Sequence, residues 1–128
     1  MALPETTHYE RIGGEPGVRR LGDKFYDLMN QLPEAKVVLS LHPTTLEGSR
    51  DKLHWFLVGW LGGPQLYVER FGHPRLRARH LPFAIGTAER DAWMLCMRRA
   101  LEATVDDKLL REVLAGSFMR VADHTMNR

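Results

Sequence analysis

Arg70-Phe71-Gly72-His73-Pro74-Arg75-Leu76-Arg77-Ala78-Arg79-His80-Leu81-Pro82-Phe83 is the stretch from which the rest of the chain is read. A proline lacks a backbone donor and pushes the residue before it out of helical dihedrals, so Pro74 and Pro82 fence off one short helical stretch ending near Leu81. His80 stands in its last turn. With Leu76 one turn behind it and Phe83 just past the end, the imidazole is aimed into apolar surroundings, while Arg75 and Arg79, one turn apart, line a neighbouring face. Four arginines and two histidines in so short a span point to an anionic or metallic partner.

Around this stretch lies an ordinary globular composition. The 128 residues are 44% hydrophobic and 27% charged, which suits one domain, residues 1–128, able to bury a core. The net charge of +2 and pI near 8.9 are mild, and the excess is mostly arginine between Arg70 and Arg79. Charge by itself therefore does not argue for nucleic acid. The single cysteine, Cys96, rules out an internal disulfide and suits a reducing compartment, and the chain opens without a basic-then-apolar leader, so a cytoplasmic location is expected. The longest uncharged run, Leu53 to Val68, is broken by Gly62-Gly63-Pro64 and falls short of the ~20 residues a membrane span needs.

Helical periodicity accounts for the rest. Thr7-His8-Tyr9-Glu10 has capping-box spacing and opens a very short helix that Gly13-Gly14 closes. Pro16 suits the first turn of the next helix, whose apolar positions run Val18, Leu21, Phe25, Leu28, Met29 and Leu32 until Pro33. Thr44 and Glu47 predict a second capping box. The following helix carries Leu46, Ser49, Arg50, Leu53, Phe56, Leu57 and Trp60 on one face and from Leu53 to Leu61 is apolar nearly all round, as a buried helix is. Two further helices follow, one with Trp93, Cys96, Met97, Ala100, Leu101 and Thr104 on a face, the other capped by Asp106 with Leu110, Val113, Leu114, Ser117, Phe118 and Val121 on its face. No segment alternates as a strand would. The expected class is all-α.

Several chemistries are excluded by their missing motifs. The chain has no Gly-x-Ser-x-Gly, no phosphate-binding glycine loop, no Cys-x-x-Cys and no His-Glu-x-x-His. His73 and His80, seven apart with a proline after the first, make a poor pair of zinc ligands. What remains is one histidine at a helix end, an apolar helix opposite it, and aromatic hydrogen-bond donors without obvious structural partners. That set fits a heme site.

Gly13-Gly14, Lys24-Phe25-Tyr26, Trp60-Leu61-Gly62-Gly63-Pro64, the His73-to-Phe83 block and Glu89-Arg90-Asp91-Ala92-Trp93-Met94-Leu95-Cys96-Met97 follow one another in an order and spacing that resembles the truncated hemoglobins, or 2-on-2 globins, of group II. The resemblance runs from about Tyr9 into the final helix. It implies a two-over-two helical sandwich around heme b, with His80 as the proximal iron ligand and its other ring nitrogen donating to a backbone carbonyl. It further implies distal donors at Tyr26 and Trp93, with His42 a third group at the ligand. Ser49 and Leu53 match distal-helix positions facing the iron, the small serine leaving a way in for ligands. Phe25, Phe56, Leu76 and Phe83 would wall the pocket, and Lys52, Arg79 and the Tyr67 hydroxyl would meet the heme propionates. Cys96 reads as an inert buried thiol.

The implied activity is binding of O2, NO, CO or another diatomic ligand at ferrous iron. A pocket with several donors holds oxygen too tightly for simple delivery, which leaves nitric oxide oxidation, peroxide chemistry or sensing, with a reductase as partner for a redox role and a monomer or homodimer as the assembly. Two rival classes have different signatures. An arginine-rich helical nucleic-acid binder would use residues 70–79 but lacks a further basic groove and a recognised motif. A non-heme metalloprotein would gather His42, His54, His73 and His80.

Overall fold

The computed structural model describes residues 7–128, and every regular element among them is helical. Thr7 accepts from the Glu10 N–H at 3.1 Å and starts α1 (His8–Ile12). Gly13, at φ 105°, ends it in the left-handed conformation that glycine adopts without a Cβ clash and lets the chain re-enter a helix at once. This second helix, α2 (Gly14–Gln31), crosses α1 at Gly17, where an added Cβ would lie 1.9 Å from the Ile12 carbonyl oxygen. Only glycine fits that crossing.

Pro33 ends the α2 pattern, and a 3-10 turn (Pro33–Ala35) leads into the single-turn α3 (Lys36–Leu39). After a connection comes α4 (Glu47–Trp60), then α5 (Leu66–Phe71), α6 (Leu76–His80), α7 (Thr87–Thr104) and α8 (Lys108–Thr125). The long helices form two crossed pairs, with α2 against both α4 and α7, and α8 against α7. This is the two-over-two sandwich. Val18, Leu21, Phe25 and Met29 of α2 are fully buried against Leu57 and Val58 of α4, Met97 and Ala100 of α7, and Leu110 and Leu114 of α8.

Local signals and tertiary packing disagree at four places. Thr44 caps nothing, because α4 begins with Leu46 as its N-cap and no side-chain bond there, and Leu46 is itself buried. The last helix is capped by Asp107, not Asp106: the extended backbone continues one residue further and the Asp107 carboxylate accepts from the Leu110 N–H at 3.1 Å. Only His54, Leu57 and Val58 of α4 are buried, since its other apolar face borders a cavity rather than another helix. Val113, placed by periodicity in the α8 stripe, is exposed.

Candidate functional site

A cavity of about 450 Å³ opens between α4 and the α6 segment and reaches down to α2, α7 and α8. Its position follows from the helices that make it. Short α6 does not cover α4, and the loop after it is tied to one side chain: Asn127 donates from Nδ2 to the carbonyls of His80, at 3.2 Å, and Phe83, at 2.8 Å, while its Oδ1 accepts from the Ile85 N–H at 2.9 Å. Three backbone groups of the loop behind His80 are thus satisfied by one side chain. Nothing in the sequence marks Asn127 for this task, because its partners lie more than forty residues away.

His80 lines the cavity, and its Nδ1 donates to the Leu76 carbonyl at 2.6 Å. That bond fixes the tautomer and the ring orientation, and it leaves the Nε2 lone pair free for a metal. Around the same space stand Tyr26, His42, Ser49, Leu53, Phe56 and Trp93, with Leu76 and Phe83 from the proximal segment and Lys52, Tyr67 and Arg79. Phe25 is absent from this wall. It is fully buried behind it, edge-on to Tyr26 at 4.9 Å and to Trp93 at 5.1 Å, because the α2 face that bears it turns toward α7. Phe25 backs the two donors and does not touch the space itself.

Burial pushes the Tyr26 hydroxyl up to about 12, against a smaller lowering pull from Arg50, so the phenol stays protonated and able to donate throughout the physiological range. No protein hydrogen bond is made by this hydroxyl or by the Trp93 indole among the described residues. His42 lies edge-on to the Tyr26 ring at 5.7 Å, and its Nδ1 donates to the Val38 carbonyl at 3.0 Å. Burial lowers its pKa, and the Val38 bond opposes this more weakly. Neutral His42 therefore offers an Nε2 acceptor, suited to orient the Tyr26 hydroxyl.

Sequence patterns missed part of the wall: Trp60 of α4, Leu41 and Pro43 of the connection, and Phe118, Val121, Ala122 and Thr125 of α8. The α8 set has helical spacing, so periodicity found a stripe there but could not tell cavity from core. The four histidines of the non-heme alternative are not gathered. His54 is buried between α2 and α4, His73 is exposed and accepts from the Arg75 N–H at 3.2 Å, and no group of three or more metal-binding side chains occurs among the described residues. A porphyrin iron needs only one protein imidazole; the cavity holds two, His80 on the α6 side and His42 beside Tyr26, between apolar walls and near Lys52 and Arg79. The residues present fit heme.

An all-α two-over-two sandwich with one proximal-type histidine in an apolar cavity defines the class of heme-based small-ligand binders. The family model described as "Bacterial-like globin" matches residues 7–127. Similar solved structures include a group II 2-on-2 hemoglobin from the plant pathogen Agrobacterium tumefaciens, 47% identical, with 99% of this chain and 98% of that one covered at a TM-score of 0.94. A cold-adapted truncated hemoglobin from the Antarctic marine bacterium Pseudoalteromonas haloplanktis TAC125 is 46% identical, covering 96% and 99%, at a TM-score of 0.95. The group 2 truncated hemoglobin YjbI of Bacillus subtilis (strain 168) is 40% identical over 94% of this chain and 88% of its own length. The chain belongs to the bacterial-like globins, in their group II truncated hemoglobin branch, and its cofactor is heme b. No described helix is long and apolar enough to cross a membrane.

Proposed function

We propose that the chain, as a single domain over residues 1–128, binds oxygen tightly at ferrous heme and uses Tyr26, Trp93 and His42 to control that ligand. When bound, the heme supplies an iron at which O2, NO or CO can sit. His80 Nε2 is the protein's ligand to that iron, and the Leu76 carbonyl holds the ring in place and strengthens it as a donor. Tyr26 and Trp93 donate toward the ligand, His42 accepts from Tyr26, and Ser49 and Leu53 border the route by which ligands enter. Phe56, Leu76 and Phe83 exclude water, while Lys52, Arg79 and Tyr67 hold the propionates. A site with two donors retains oxygen rather than delivering it, which favours nitric oxide oxidation, peroxide chemistry or sensing, the first two with a reductase.

The observation that carries this reading is His80 in the cavity wall with Nδ1 already committed to the backbone. Replacing it tests the reading. His80→Gly should fold but retain little heme, and added imidazole should restore part of the Soret absorbance by filling the vacated ring's place. Heme content and spectrum equal to wild type would exclude His80 as the ligand.

A further inference from the structure

Three cations lie on three aromatic rings at the α5 edge of the cavity. The Arg70 guanidinium sits 4.4 Å from the Trp55 ring centre, Lys52 Nζ 6.0 Å from Phe71, and the Arg79 guanidinium 5.6 Å from Tyr67. The rings form one cluster, with Trp55 and Phe71 5.9 Å apart and Tyr67 and Phe71 4.9 Å apart. Arg79 also donates to the carbonyls of Pro74, at 2.7 Å, and Phe71, at 3.5 Å, which ties α6 to the same surface. Arg75, one turn before Arg79, extends the positive area and is exposed. None of these cations belongs to an ion pair among the described residues.

Two further features separate this patch from a plainly solvated face. Arg75 is the one described residue other than glycine with positive φ, at 47°. Glycine would relieve that conformation, so an arginine here keeps its charge at a conformational cost. Phe71, 41% exposed, and Leu81, 59% exposed, present apolar area among the charges. Arginine and aromatic groups around a small apolar centre are the composition of protein-docking hot spots, and cations held on rings lose less freedom when a partner arrives.

We infer that this surface docks an acidic redox protein that delivers single electrons to the heme. The inference rests on the heme reading above. Propionates take up Lys52 and Arg79, and Arg70 and Arg75 remain for the carboxylates of the partner. In the transfer the donor is oxidised by one electron and ferric iron is reduced to ferrous, with no proton moved and no bond made to the protein. The cavity edge lies beside the patch, since Lys52, Tyr67 and Arg79 belong to both. Docking here brings a donor close to the cofactor.

The test uses the heme-loaded protein and a reduced plant-type [2Fe–2S] ferredoxin as the acidic one-electron donor. Binding of the oxidised ferredoxin is measured by calorimetry, and heme reduction is followed under carbon monoxide. With Arg70→Glu and Arg75→Glu combined, affinity and reduction rate should both fall at least about tenfold at low ionic strength, and the difference should close at about 0.5 M salt. The Soret spectrum and reduction by the small methyl viologen radical cation should not be impaired. Their loss would undermine the heme reading instead of the docking inference. Should that double variant misfold, Arg75→Gln alone, at an exposed site, should still weaken binding measurably at low salt. Equal ferredoxin affinity in wild type and a folded variant overturns the inference. So does a variant that loses binding to anionic lipid vesicles or to duplex DNA while ferredoxin binding is kept.

Discussion

Tyr26 and Trp93 are worth most where a ligand develops negative charge. Hydrogen bonds to charged groups contribute ~1.5–3 kcal/mol, and ~1.4 kcal/mol is tenfold, so Tyr26→Phe and Trp93→Phe should each speed oxygen dissociation by roughly ten- to a hundred-fold. Carbon monoxide, which develops less charge, should respond less. Trp93→Phe should have the larger effect, since an indole can only donate while a phenol also turns to other acceptors. Stopped-flow rates within about a factor of two of wild type for both variants would mean that these side chains only pack. His42 acts differently in neutral and charged forms. Its folded pKa is depressed, chiefly by burial, so it stays neutral down to below its ordinary 6.5. Ligand kinetics should be flat from pH 7 to 8 and change only on the acid side of about 6.5, where Nε2 gains a proton and becomes a donor. This narrows the range of about pH 5–8 that an unperturbed histidine would give. His42→Phe should remove the acid limb, and an unchanged profile would place His42 away from the ligand.

At the scale of elements, the Tyr26 ring stands beside the gap between α2 and α4. Arg50 of α4 bridges it, donating to the Asp23 carbonyl at 3.0 Å, to Asp23 Oδ1 at 3.3 Å and to Asp27 Oδ1 at 2.8 Å, with its guanidinium 5.9 Å from the Tyr26 ring centre. Both carboxylates are about half exposed, so solvent screens the pair and the loss in stability from Arg50→Met should be modest, ~1 kcal/mol in thermal unfolding. The larger effect should appear in oxygen dissociation, because α2 is released beside its functional residue. Arg50→Lys should not restore it, as a point charge cannot span two carboxylates and a carbonyl. Wild-type dissociation in Arg50→Met would show that packing alone sets the helix spacing.

Stability of the whole molecule should depend on His54, which is 7% exposed and whose Nδ1 finds no hydrogen-bond partner among the described residues. Burial lowers its pKa, Arg19 adds to this, and Glu15, Asp23 and Asp51 oppose it. Above pH 6.5 folded and unfolded chains both hold it neutral; as pH falls below 6.5 the unfolded chain takes up the proton more readily, so native stability declines. His54→Leu should lose less stability than wild type between pH 7.5 and 5.5 in denaturant titrations, and an identical decline in both would assign the acid sensitivity to other groups. The helix start at Thr7, the place of Pro16 in the first turn of α2, the glycine stop at Gly13, the fenced His80 segment and the all-α class are local properties of the sequence, set by caps, prolines and 3.6-residue periodicity. The order of the motif blocks added the heme and the family. Which apolar stripe faces a cavity and which a core was settled only in three dimensions, because Phe25 and Phe56 carry the same periodic signal and differ only in what stands opposite. For the same reason the hold of Asn127 on the loop behind His80, the bridge of Arg50 and the cap at Asp107 required the tertiary structure: each depends on where distant or competing backbone groups come to rest.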